Sequence, residues 1–478
     1  MATYVVVGGG IAGVSCTEIL SLLCPEDSII LITASALVKA VTNVRKVTKM
    51  LEIFDVEEKP MISVQSHCPN VNVIHATVKS IDATKHCVLT SDGQVLKFEK
   101  LCICSGGKPK VIAEGNPYVL GIRDTESAKQ FQKKLKAARR VVVVGNGGIA
   151  TELVYEIEGC EVVWAIKDKA IASTFVDAGA AEFFMPQLSK CKHKSDNPKT
   201  RLKYTLEQNE AATVAAADVL GGALGPDWAC NLDMTGVLKV SHSVFLECEV
   251  EVRSVYSAEG EETVLSSTIN PNAAWPVFVE LTNGRVYGCD LIVSATGVLP
   301  STDFLQHNSF DFAEDGGVKV DDMMRTSVPD VYAAGDVCTA SWDIAPHWLQ
   351  MRLWGQARQM GGYAAKCMHA AIKQEPISQD FCFELFAHAT RFFDYKVILL
   401  GRFNAQGLGE DYELLLRVTK GEEYVKVVLK DGRMQGAVLI GETDLEETFE
   451  NLILNQLDLT PFKDHMLEPG IDIEDYFD

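Results

Sequence analysis

Two stretches of this chain obey one pattern: a short β-branched run, a glycine-rich turn, then a helix-like segment. The first reads Tyr4-Val5-Val6-Val7 into Gly8-x-Gly10-x-x-Gly13, with residues 12–22 helical in character. The second reads Val141-Val142-Val143-Val144 into Gly145-x-Gly147-x-x-Ala150, continuing through Ile149, Thr151 and Glu152. A run of this kind predicts a strand buried on both faces. The first glycine then permits a tight turn, the second lets backbone approach a pyrophosphate, and the third position lets helix and strand pack closely. Phosphates would rest on the helix N-terminus, at Ile11 and Ala12 in the first copy. Each copy is followed by a second apolar strand, Ser28–Thr33 and residues 161–166, completing β-α-β. Two such units predict two separate dinucleotide sites on an α/β scaffold.

Neither copy ends its second strand on the acidic residue that usually binds the ribose hydroxyls. In the first copy Ser35 is the candidate for that place, since a hydroxyl can bond a sugar, and Lys39 follows closely. In the second the position falls near Ala165, followed by Ile166 and Lys167. Lys167 with Lys169 tolerates a 2′-phosphate, so NADH and NADPH both remain open. Other loops complete the sites. Residues 100–104 run as a strand into Ser105-Gly106-Gly107-Lys108-Pro109, and residues 290–294 into Ala295-Thr296-Gly297-x-x-Pro300. A third strand delivers Gly335-Asp336, whose carboxylate suits sugar or ribityl hydroxyls. A helix expected over 350–368 places Trp354 near the same ligand.

At 478 residues the chain exceeds one core. The expected divisions are a dinucleotide domain at 1–115, a second at 116–288 with an insertion at 172–275, and a return to the first at 289–375. An α+β domain at 380–465 and an acidic tail at 466–478 follow. Residues 40–60 read as helix-like. A net charge of −21 argues against nucleic acid as a direct ligand. No run reaches the ~18 apolar residues of a membrane helix. A strand beginning at residue 3 leaves no room for a leader, so cytoplasm or nucleus is the expected compartment. The fourteen cysteines include no C-x-x-C pair, and no metal site is expected.

Gly8-x-Gly10-x-x-Gly13, the second motif at Gly145, the Ala295-Thr296-Gly297 loop and Gly335-Asp336 together resemble the pyridine nucleotide-disulphide oxidoreductase family. The resemblance implies two Rossmann-like domains, for FAD and for NAD(P), plus a C-terminal α+β domain. It implies non-covalent FAD at the first site, held by Gly8, Gly10, Gly13 and Asp336, with Lys39, Ser105, Gly106 and Trp354 around it. NADH or NADPH would lie at the second, lined by Gly145, Gly147, Ile149, Ala150, Glu152, Lys167 and Gly297. The chain departs from the family at one place: residues 36–60 contain no cysteine, so no paired thiols stand beside the flavin. Hydride could enter FAD from NAD(P)H but must leave to oxygen, a quinone or a protein. The alternative expectation is a flavin-dependent binding protein whose insertion or tail engages a partner; the resemblance implies a tRNA ligase complex. A disulphide reductase working through Cys102 and Cys104 is a third.

Overall fold

A computed structural model describes residues 2–123, 125–189, 232–239, 243–257, 267–306 and 309–468. The chain divides into two compact units. Of the described residues, the first unit holds those in 2–108 and 299–388, and the second those in 109–189, 232–298 and 389–468.

In the first unit a parallel five-stranded sheet runs in the order Val331–Ala333, Lys100–Ile103, Thr3–Val7, Ser28–Thr33, Val71–His75. Thr3–Val7 is central, and Tyr4, Val5 and Val6 are at most 1% exposed, because residues on both of its faces are covered. Helices Ile11–Leu23 and Trp354–Lys373 pack together beside it. Gly361 makes their close approach possible: a Cβ there would stand 2.1 Å from the Ala12 carbonyl oxygen.

Residues 37–60 are not helical. They form an antiparallel ribbon of Leu37–Lys46 and Glu52–Pro60, with a bulge between Thr42 and Arg45. The β-branched content (Val38, Val41, Thr42, Val44, Ile53, Val56) outweighs the mixed charge pattern that suggested a helix. The ribbon starts from the glycine loop, since Lys39 N–H donates to the Gly9 carbonyl at 2.9 Å. The helix expected from 350 begins at Trp354 instead. Gln350 is engaged by the strand Cys338–Ala340, accepting from Ala340 N–H at 2.7 Å and donating to the Cys338 carbonyl at 2.9 Å. Gln356 holds the preceding loop through Met351 N–H and the Leu349 carbonyl.

The second unit repeats the plan. Its parallel sheet runs Val119–Gly121, Leu291–Ser294, Arg140–Val144, Glu161–Ala165, Ser243–Glu247, with the glycine-loop strand again third. Ser243–Glu247 lies inside the span expected as an insertion, yet it is a sheet strand paired with Glu161–Ala165. Val252–Ser257, from the same span, joins Val277–Leu281 and Val286–Cys289 in an antiparallel meander. The alternation over 244–255 suggests one strand; the structure divides it into these two. The segment 190–231 and the tail 469–478, where partner docking was expected, lie outside the described residues. The C-terminal α+β part is a five-stranded sheet ordered Ala387–Phe392, Tyr395–Gly401, Arg433–Ile440, Glu423–Lys430, Glu413–Thr419, covered by helix Glu446–Asn455. Among the described residues no helix is long and apolar enough to cross a membrane.

Candidate functional site

Each glycine loop is shaped by a contact that only glycine permits. Gly8 takes φ 119°, and a Cβ there would lie 2.2 Å from the Cys104 carbonyl oxygen. Gly145 takes φ 129°, with the Ala295 carbonyl oxygen 2.1 Å from the same point. In both, the loop is tied to the neighbouring strands by matching bonds. Gly8 N–H donates to Ile32 (2.8 Å) and Cys104 N–H to Val7 (2.8 Å); Gly145 N–H donates to Ala165 (3.1 Å) and Ala295 N–H to Val144 (2.8 Å).

The helices that follow are open at their N-termini. Gly10 caps Ile11–Leu23 and Gly147 caps Gly148–Glu156, both extended, with no side-chain cap and no acidic residue in the first turn. A Cβ on Gly10 or Gly147 would meet nothing within 4 Å. First-turn N–H groups of a helix need an acceptor, and the helix dipole favours a negative one. Each loop therefore presents donors and space fitted to a phosphate ester.

Around the first loop the structure gathers residues from far along the chain. Ser105 and Gly106 follow Lys100–Ile103, the neighbour of the central strand; Gly335 and Asp336 follow Val331–Ala333, one strand further out. The Cβ position of Gly335 lies 2.9 Å from Ala12 Cβ and 3.7 Å from Ala357 Cβ, so the Asp336 turn and the helix headed by Trp354 both meet the glycine helix. Asp336 is half-buried, and its carbonyl accepts from Arg352 Nε at 2.9 Å. Ser35 is exposed; its Oγ accepts from Leu37 N–H at 3.1 Å, leaving the hydroxyl proton to donate. The Ser105 hydroxyl instead donates to the Ser301 carbonyl at 2.9 Å, which fixes the loop. The Lys39 ammonium stands 3.9 Å from Glu58 on its own ribbon. Trp354 packs on His388, ring centroids 5.3 Å apart, and burial depresses that imidazole to a pKa of about 4.

In the second unit Ala150 is fully buried, whereas Ile149 and Glu152 are half-buried and Lys167 is exposed. Gly297, at φ 108°, has open space at its Cβ position and accepts from Lys110 N–H at 3.0 Å. Sequence reasoning missed Asn146 and Glu247. Asn146 Nδ2 donates to Asp168 (2.8 Å), the Ala170 carbonyl (2.8 Å) and Ser173 (2.9 Å), which clamps the loop after Glu161–Ala165 onto the glycine turn. Glu247, aligned with Ala165 on the next strand, is 7% exposed. It accepts from the Tyr287 hydroxyl, Arg285 Nη1 (2.5 Å) and Asn283 Nδ2 (3.0 Å). Burial and this carboxylate push the Tyr287 phenol up to about 12. Both carboxylates near the ribose position are thus committed to protein donors. No local signal foretold this, because the partners of Glu247 come from a distant hairpin.

The Cys102 and Cys104 thiols are sealed. Cys102 and Cys104 have Sγ atoms 3.5 Å apart, and are 0% and 4% exposed. Cys104 is pushed well above the usual thiol range by its bond with Cys102 and by burial. At Cys102 the bond from Cys104 pulls the other way and is outweighed by Cys16 and burial. The nucleophile in disulphide exchange is an accessible thiolate, so this pair does not support the disulphide-reductase expectation. Among the described residues no group of three or more His, Cys, Asp or Glu is placed to hold a metal ion.

Two parallel sheets, each with an open helix end over its central strand, define a paired dinucleotide-binding α/β protein. The chain belongs to the pyridine nucleotide-disulphide oxidoreductase family, whose model matches residues 2–191 and 247–361. The model of the rubredoxin NAD+ reductase C-terminal domain matches residues 389–457. A mouse relative, pyridine nucleotide-disulfide oxidoreductase domain-containing protein 1, is 57% identical over 100% of this chain and 98% of its own. Among solved structures, the water-forming NADH oxidase of Lactobacillus brevis bound to NADH is similar at TM-score 0.67 and 17% identity, covering 96% of this chain and 92% of that one. The covalent putidaredoxin reductase–putidaredoxin complex is similar at TM-score 0.67 and 14% identity, covering 100% and 98%.

Proposed function

We infer that the protein is an FAD-containing oxidoreductase that passes hydride from NADH or NADPH to the flavin, and electrons onward to oxygen, a quinone or a partner protein. The observation that carries this reading is the doubled glycine loop, each copy with uncapped helix donors and open space beside its second glycine. FAD suits the first copy because Asp336 and the Ser105-Gly106 loop share its sheet edge, offering contacts beyond a diphosphate. There the first-turn N–H groups at Ile11, Ala12 and Gly13 would hold the diphosphate. Asp336 would accept from a hydroxyl, and Ser35 would donate to a ribose oxygen. In the second copy Gly147, Ile149 and Ala150 would hold the nicotinamide nucleotide's diphosphate. Exposed Lys167, with no uncommitted carboxylate beside it, would admit the ribose with or without a 2′-phosphate.

When bound, FAD supplies two-electron acceptance from a nicotinamide and one- or two-electron delivery onward, chemistry that no side chain offers. The chain's own part is binding, orientation and exclusion of water. The ribbon 37–60 carries no cysteine and the buried pair Cys102/Cys104 is sealed, so the acceptor is external. The test is direct. Purified protein should carry flavin absorbance that bleaches anaerobically with NAD(P)H and returns on admitting oxygen or a quinone. A protein that stays colourless after FAD is added refutes the reading.

A further inference from the structure

The C-terminal sheet contains a hairpin with a strained backbone at its turn. Strands Ala387–Phe392 and Tyr395–Gly401 are neighbours in that sheet, joined by Phe393 and Asp394 alone. Both joining residues take positive φ, 52° and 67°. A turn of this kind is ordinarily made by Asn-Gly or Gly-Gly, because a Cβ crowds the backbone there. A phenylalanine so placed is an outlier, and it persists only where its surroundings hold it.

What holds it is the helix of the second glycine loop. Gly148 and Tyr155 sit roughly two turns apart on Gly148–Glu156, and so share one face. Phe393 is buried; its ring meets Tyr155 edge-on at 5.3 Å and lies 5.0 Å from that of Phe184. The Tyr155 hydroxyl donates to Asp394 Oδ2 at 2.6 Å. One residue earlier, buried Phe392 meets Phe175 edge-on at 5.3 Å. Phe175 stands against the first residue of the helix: a Cβ at Gly148 would lie 3.4 Å from its ring and 3.9 Å from that of Phe392. The hairpin tip thus grips the helix at both ends, and one grip is a single residue from the open space beside Gly147.

We propose that Phe392, Phe393 and Asp394 are positioning residues for the nicotinamide nucleotide, a role that rests on the second loop being its site. The C-terminal part of the chain fixes the helix end that receives the diphosphate. Ordering those N–H donors in advance spares the nucleotide the cost of ordering them on binding. Attachment of the C-terminal sheet does not depend on this turn. Buried Lys426 bonds Asp177, the Tyr424 hydroxyl donates to Asp177 at 3.1 Å, and Gln187 Nε2 donates to the Tyr395 hydroxyl at 3.1 Å. Glycine at 394 would relieve the left-handed backbone. It would also remove the carboxylate that Tyr155 engages, so the strain is kept together with the grip.

The test titrates NADH anaerobically, by calorimetry, into the full chain carrying FAD reduced beforehand with dithionite, so that no hydride moves. Asp394→Gly and Tyr155→Phe remove one bond from its two sides. Each should raise the NADH dissociation constant about fivefold, the equivalent of one lost hydrogen bond. The double variant should bind no more weakly than either single one. Asp394→Asn tolerates a left-handed backbone and keeps an acceptor, so it should bind as the parent does. Asp394→Gly should leave flavin content and the urea midpoint of unfolding unchanged, since relief at φ 67° offsets the lost bond. NADH affinity within twofold of the parent in both single variants, or additive losses in the double variant, overturns the proposal. So does an Asp394→Gly protein whose urea midpoint falls along with its affinity, because the turn is then a stability element only. A parent that takes up flavin but no NADH instead overturns the reading of the second loop, and this proposal with it.

Discussion

Gly10→Asp separates the folding role of the first glycine loop from its binding role, because the two respond with opposite sign. Gly10 is extended, and a Cβ there meets nothing within 4 Å, so the substitution introduces no clash. Asp is a better N-cap than Gly by a few tenths of a kcal/mol. Its charge beside the helix N-terminus, where the first turn holds no acid, adds about 0.3–1 kcal/mol. The apoprotein should therefore gain roughly 0.5–1 kcal/mol. A bound diphosphate would occupy the same donors. A carboxylate about 4 Å from one phosphate charge costs about 4 kcal/mol at an effective dielectric constant of 20. Allowing for relaxation, a loss of ~3 kcal/mol corresponds to at least a hundredfold rise in the FAD dissociation constant. Flavin-fluorescence titration gives the affinity, and urea unfolding of the flavin-free protein gives the stability. Binding kept within threefold of the parent, or an apoprotein weakened by more than about 1 kcal/mol, would refute the assignment of this helix end to a diphosphate.

Gly147→Asp should leave flavin content unchanged while raising KM for NADH and NADPH by tenfold or more on the same electrostatic reasoning, as read by steady-state kinetics. Gly361→Val drives a side chain into the Ala12 carbonyl and should lower unfolding free energy by about 3 kcal/mol in urea, with flavin loss following. Arg140 is wholly buried, bonded to Glu161 at 2.6 Å, and stacked with Arg139 on Trp275. Its replacement by Ala should cost about 3–5 kcal/mol in the same assay. The depressed pKa of His388, about 4 against 6.5, means the unfolded chain takes up a proton that the folded chain refuses. Stability is then lost as pH falls from 6.5 toward 4, by about 2 kcal/mol at pH 5, and His388→Phe should flatten that part of the unfolding profile. Cys102→Ser with Cys104→Ser should leave NAD(P)H turnover intact, and neither thiol of the parent should react with a thiol reagent before unfolding.

How much of this was readable beforehand depended on how local each determinant is. Gly8 and Gly145 are dictated by turns a few residues long, and the strands beside them by unbroken valine and isoleucine runs, so both glycine loops could be placed at once. The ribbon 37–60 could not, because its charged residues recur at spacings that also suit a helix. What decides is the pairing of Val38 to Lys59 and Val41 to Val56, a contact across the turn. The alternation over 244–255 suggests a strand, but not that its first half joins the parallel sheet, because that depends on Glu161–Ala165 lying beside it. The tying up of Glu247 by Arg285 and Tyr287 was equally out of reach, since opposed charges a hairpin apart leave no periodic trace. Ser35 and Lys39 were placed near the loop by counting along the strand, but their hydrogen bonds were not foreseeable.

The first sheet also dictates a schedule. Its strand Val331–Ala333 and the Gly335 turn that abuts Ala12 are made only after the stretch 109–298 has left the ribosome. At about 5–20 residues per second that interval is roughly ten to forty seconds. Throughout it, Lys100–Ile103 stands as an uncovered edge with Leu101, Cys102 and Ile103 awaiting their cover. The nascent chain can finish the second parallel sheet before the first, although the first begins at residue 3. The glycine loop nearest the N-terminus is therefore among the last parts of its unit to gain its neighbours, and a chain stalled before residue 331 would display that loop beside a bare sheet edge.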